Sequence, residues 1–138
     1  MSRIINPSSA GKERTRITRA VALAVRELAK KQRVDPESRD LAAFIALALE
    51  SVAETIEPSV AAWEKRNYWL KADKFRMEWR WAGQLAAEMR TAALEEDWQT
   101  VAQVAMQVAM KLQKIKISDK HRMGRPWTGS WARLHEEN

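Results

Sequence analysis

Between Lys12 and Ile117 no run of alternating apolar and polar residues is bounded by turn signals, while apolar side chains recur every three or four positions. Only Pro36, Pro58 and Gly83 interrupt that stretch. Apolar residues at this spacing are buried when helices lie side by side, so the expected fold is all-α, an antiparallel helical bundle of four to five helices. A chain of 138 residues has room for one domain with one real core.

The first helix is expected over about residues 9–32, where Ile17, Ala20, Val21, Ala24 and Leu28 share a face and Ser8 or Ser9 can cap the start. At about 100° per residue, Lys12, Arg16, Arg19, Arg26, Lys30 and Arg33 gather on roughly the opposite face, interrupted by Leu23. The second helix, about residues 36–57, begins clearly: Asp35 suits the N-cap, Pro36 the first helical position and Glu37 the positive end of the dipole. From Leu41 to Leu49 it is apolar nearly all round, which belongs in the middle of a bundle. Pro58, lacking an N–H, ends or kinks it.

A long helical stretch follows over about residues 59–94, with Val60, Trp63, Leu70, Met77, Trp81, Leu85 and Met89 on one face; at Asn67 or Gly83 it could divide in two. Asp97 reads as the N-cap of a last helix, about residues 98–116, buried through Val101, Val104, Ala105, Val108, Leu112 and Ile115. After Ile117 the period stops. Residues 118–138 read as an extended C-terminal tail, docked or arm-like, containing Trp127 and Trp131, with Ser130 placed to cap a short final turn.

The formal charge of +6 is distributed in blocks: +7 over residues 1–34, −6 over 35–64, +4 over 65–90, −3 over 91–110 and +4 over 111–138. Two arrangements produce such blocks. Either the basic first helix lies beside the acidic second, whose Glu50, Glu54 and Glu57 form a row, or the basic faces stay uncovered and meet phosphates.

Trp and cations interleave most densely from Lys65 to Trp81. Trp63, Met77 and Trp81 project with the apolar face, whereas Trp69 projects with Lys65, Arg66, Asp73, Arg76 and Arg80 on the other side. An exposed indole among cations suits stacking on bases with phosphates held alongside. It equally suits packing under the tail or against a second subunit, with an arginine on the ring. The tail repeats the mixture in Lys120, His121, Arg122, Arg125, Trp127 and Trp131, either lying in a groove of its own bundle or forming an arm that orders on a partner.

The absence of Cys removes disulfides, thiolate chemistry and Cys-based zinc sites. Neither His121 nor His135 follows a Glu at the Glu-x-x-His spacing of two-metal carboxylate bundles, so no metal and no cofactor is expected. Gly11-Lys12 lacks the upstream glycine and the following Ser or Thr of a phosphate loop, and no Ser/His/Asp grouping can be assembled from these two His. The longest apolar run, Leu41 to Leu49, falls far short of the ~20 residues that cross a bilayer. With no signal-peptide pattern at Met1 to Ser9, no transmembrane segment and a cytoplasmic location are expected.

These features point to a non-enzymatic binding protein contacting nucleic acid, RNA or single-stranded DNA. The candidate contacts are Lys12, Arg16, Arg19, Arg26 and Lys30 in the first helix, Lys65, Arg66, Trp69, Arg76 and Arg80 in the third segment, and Lys120, Arg122 and Arg125 in the tail. The alternative is a structural or scaffold subunit, a homo-oligomer or part of a larger protein assembly, joined through Trp69, Trp79 and the tail. An anionic membrane fits less well, because the first helix offers Ala and Val where interfacial insertion favours Phe or Trp. In size and composition the chain is similar to the small, basic, helical subunits that line the nucleic-acid channel of RNA-guided effector complexes, an analogy carried by no motif.

Overall fold

The computed structural model describes residues 7–137, all-helical with no strand among them. Six helices follow in order: α1 Pro7–Ala29, α2 Pro36–Glu54, α3 Ile56–Lys65, α4 Trp69–Leu94, α5 Trp98–Lys111 and α6 Ser130–Glu136. α2 is the central element and packs against α1, α3, α4 and α6. Leu41, Ile45, Leu49 and Val52 of α2 are fully buried, each contributing about 1.5–3 kcal/mol. Around them lie Val21 and Leu23 of α1, Met89 of α4 and Val108 of α5.

Local chemistry sets the helix ends. The Asp35 carboxylate accepts from the Ser38 N–H at 2.7 Å and starts α2; Asp97 accepts from Thr100 at 3.2 Å and starts α5. α1 stops at Ala29, short of residue 32, because Lys30 and Lys31 turn tightly onto the carbonyls of Glu27 and Leu28. That turn brings Lys31 to Asp35 at 3.0 Å and to Glu37 at 2.7 Å. α5 stops at Lys111, not residue 116, and Ile115 and Ile117 fold back onto the core. α2 ends at Glu54, three residues before the expected limit, since the Pro58 ring is incompatible with a continued helical carbonyl at position 54. Pro58 itself sits in the first turn of α3, where its missing N–H leaves no bond unmade.

The stretch over residues 59–94 is two helices. Asn67 takes a left-handed conformation, φ 64°, and the N–H groups of Asn67 and Tyr68 close back onto the carbonyls of Glu64 and Trp63. Glu96 ends α4 in the same way, φ 53°, with Glu96 and Asp97 bonding to Ala93 and Ala92. Gly83 leaves α4 unbroken. The buried face of α4 is Ala72, Ala82, Leu85, Ala86, Met89, Ala92 and Ala93, while Leu70 and Met77, about 100° or more round the same helix from Met89, stand exposed. Trp81 packs on the core, and Trp63 stays outside it.

The tail lies on α2. Trp127 is 3% exposed and Leu134 fully buried. The Trp127 indole donates to Glu37 at 3.1 Å, and the Asp40 carboxylate accepts from the N–H groups of Gly129 at 3.2 Å and Trp131 at 2.9 Å. Asp40 therefore caps α6 from another helix. Ser130, expected as the cap, is instead the first residue of α6 and buried, because Gly129 turns left-handed at φ 84° ahead of it.

Candidate nucleic-acid interface

The link between α3 and α4 builds a corner in which aromatic rings outnumber the places to bury them. Trp63 meets Phe75 edge to face, centroids 5.3 Å apart, and Phe75 leads to Trp79 at 6.4 Å, which stacks on Trp81 at 5.9 Å. Tyr68 and Trp69 lie outside this row; Trp69 is 54% exposed. Together with Trp63, Phe75, Lys71 and Lys74 they line an open groove of ≈ 810 Å³, with Glu78 on its wall. Lys71 Nζ sits 4.8 Å from the Trp63 ring centre.

The charged residues that line the groove are two cations, Lys71 and Lys74, and one acid, Glu78. Lys65, Arg66, Lys71, Lys74 and Arg80 are exposed, and none is in an ion pair among the described residues. Lys65 and Arg66 close α3 and Trp69 opens α4, so the single helical face on which the sequence places them is divided at Asn67. Arg80 stands three turns along α4 from Trp69, about 16 Å away along the axis. Arg76 is different: its guanidinium contacts Glu57 at 2.9 Å, Glu64 at 2.9 Å and Asp73 at 3.4 Å, and the hydrogen bonds it donates to Glu57 and Glu64 raise its pKa. It ties α3 to α4 and is no longer a free cation.

The remaining candidates divide likewise. On α1, Lys12 and Arg19 are exposed and in no ion pair among the described residues. Arg16 pairs with Glu13 at 2.8 Å and Lys30 with Glu27 at 3.1 Å, both within their own helix. Arg26 is half-buried and donates to the Ile117 carbonyl at 3.0 Å, fixing the start of the tail. In the tail, Lys120 and Arg122 are exposed, whereas Arg125 lies 3.3 Å from Glu37.

The acidic row of the second helix does not face the basic first. Glu50 holds Arg90 of α4 at 2.6 Å and Glu57 holds Arg76, while Glu54 is exposed. The acidic blocks are answered largely from α4 and the tail, which leaves the outer face of α1 open.

Sequence reasoning missed Arg14. Its Nη1 donates to the hydroxyls of Thr55 and Ser59, both at 3.0 Å, and its guanidinium covers the rings of Phe75 at 4.8 Å and Trp79 at 5.4 Å. Burial lowers its pKa, with the Glu78 charge opposing. Arg14 thereby locks α1, α3 and α4 into the frame behind the groove. The signal was present: Arg14 stands at i, with Ile17 and Val21 at i+3 and i+7, a cation on the apolar face.

Among the described residues no group of three or more His, Asp or Glu is placed to hold a metal ion, and no helix is long and apolar enough to cross a membrane. Compared with protein-family models, curated proteins and solved structures, the chain matches none of them.

Proposed function

We propose that the chain binds single-stranded nucleic acid, RNA or DNA, at the α3–α4 corner and does no chemistry on it. One observation carries this reading: two exposed rings, Tyr68 and Trp69, line a groove with Lys71 and Lys74, while Lys65 and Arg66 stand exposed just before them in the chain, and none of these four cations is in an ion pair among the described residues. Rings of this kind accept any base face, and lysines and arginines beside them hold the adjoining phosphates. Lys120, Arg122, Lys12 and Arg19 are exposed but do not line the groove. Of the scaffold alternative's anchors, Trp69, Trp79 and the tail, only Trp69 stands well exposed, since Trp79 stacks on Trp81 and the tail's Trp127 is buried on α2.

Fluorescence anisotropy with a labelled single-stranded oligonucleotide tests the reading. With about four phosphate contacts, affinity should fall about 100-fold between 50 and 200 mM salt. Absence of binding to RNA and DNA alike at about 50 mM salt would refute it.

A further inference from the structure

α5 turns toward solvent a face unlike the rest of the molecule. Charged residues make up 30% of the chain, yet no exposed residue from Gln99 to Met110 carries a charge. The face consists of Gln99, Ala102, Gln103, Met106, Gln107 and Met110, with Met106 68% and Met110 69% exposed, one turn apart. Its two ends are strongly and oppositely charged. Glu95, Glu96 and Asp97 precede the helix, and Lys111, Lys114 and Lys116 follow its neutral part, all six exposed. None of the three lysines is in an ion pair among the described residues, and Glu95 is in none either.

We propose that this face docks a second copy of the chain, the two α5 helices packing antiparallel about a two-fold axis. Charge selects both the occupant and its direction. An antiparallel copy brings the acidic end of each helix to the basic end of the other, giving two equivalent sets of opposite charges; a parallel copy would set like against like. The stretch between the ends has no charge to desolvate. Glutamine offers both a donor and an acceptor, so a glutamine-lined face matches its own image, and methionine adapts its shape to whatever faces it. The helix dipoles also oppose favourably in this arrangement.

The contact is small. A helix of 14 residues is about 21 Å long, and two of them cover less than the ~800 Å² per partner of a standard stable interface. Contacts below the standard size belong with the weaker, reversible associations. The dimer involves no residue of the α3–α4 corner and does not rest on the nucleic-acid reading.

Sedimentation equilibrium of the full chain from ~2 to ~200 µM tests the proposal. The expected result is a mass rising from 15.9 kDa toward twice that value. Met106→Glu with Met110→Glu should weaken association about 10-fold or more, with the circular dichroism spectrum and urea midpoint unchanged. Glu95→Lys alone and Lys114→Glu alone should each weaken it too. An equimolar mixture of those two variants should associate more tightly than either, because the mixed dimer restores opposite charges at both ends. A mass of 15.9 kDa at every concentration overturns the proposal and leaves the face to a different protein or to solvent. Association untouched by the methionine substitutions, or no recovery in the mixture, overturns it as well.

Discussion

The corner between α3 and α4 and the seam between α2 and the tail are written in the same residues, tryptophan among lysines and arginines, yet they end as opposites. In the seam, Trp127 is 3% exposed, its indole bonds to Glu37, and Arg125 rests on the same carboxylate. At the corner, Trp69 is 54% exposed and the cations around it have no carboxylate partner. The difference lies in what stands opposite. Glu37 and Asp40 project from the first turns of α2 and accept the tail's N–H groups, whereas at the corner Glu57, Glu64 and Asp73 converge on Arg76 and Glu78, on the groove wall, faces Arg14. An aromatic and basic stretch closes on its own protein when acids are positioned to receive it and stays open when they are held elsewhere.

The contrast can be broken most forcefully by truncating the two indoles in parallel. Trp127→Ala should cost about 3–5 kcal/mol of unfolding free energy by urea denaturation, while Trp69→Ala should change it by less than about 0.5 kcal/mol. In an oligonucleotide titration the order should invert. Trp69→Ala should lose about 1–3 kcal/mol of affinity through the missing stack, roughly 5- to 150-fold. A Trp69 variant that binds as tightly as the parent would erase the functional half of the comparison.

Acid sharpens the seam. The Ser38 N–H, with Lys31 and the Ser38 hydroxyl, holds the Asp35 carboxyl at about 2, and Lys31 and the Trp127 indole hold Glu37 below its ordinary value. Carboxyls depressed in the folded chain stabilise it fully above their unfolded values, near pH 4, and lose that contribution as pH falls toward about 2. The urea midpoint should therefore drop over that window. It should drop less in Trp127→Ala, which lacks one of the bonds to Glu37. The smallest effect lies outside both regions: Glu96→Gly relieves a left-handed residue at the end of α4 and should add about 0.5–1 kcal/mol of stability by the same denaturation.

Much of the fold is legible in the sequence because its determinants are local. The apolar run Leu41–Leu49, the Asp35-Pro36 start and the Asp97 cap mark a central helix and its neighbours without reference to anything distant. The candidate site is less legible, for two physical reasons. A single left-handed residue, Asn67, divides the expected helix, and the face that α4 then buries is centred on small residues, Ala82, Ala86 and Ala93 with Met89, which leaves Leu70 and Met77 at the surface. Which carboxylate neutralises which cation depends on how helices are placed in space, so Arg76 looks free in projection although it is held three ways. Tyr68, Lys71 and Lys74 lie within the interleaved segment but join the groove only once α3 and α4 are bent apart.

Asp40's capture of α6 has a consequence for the order in which the protein assembles. Its bonds to Gly129 and Trp131 join residues 89 and 91 positions apart, and Glu37 to Trp127 spans 90, whereas α1 with α2 and α4 with α5 meet across short links. Closing the longer loop costs more chain entropy before any contact repays it. The seam should therefore form last on refolding. A nascent chain would carry the matching surface of α2 uncovered until residues 127–134 had been made, the interval in which it is most open to aggregation.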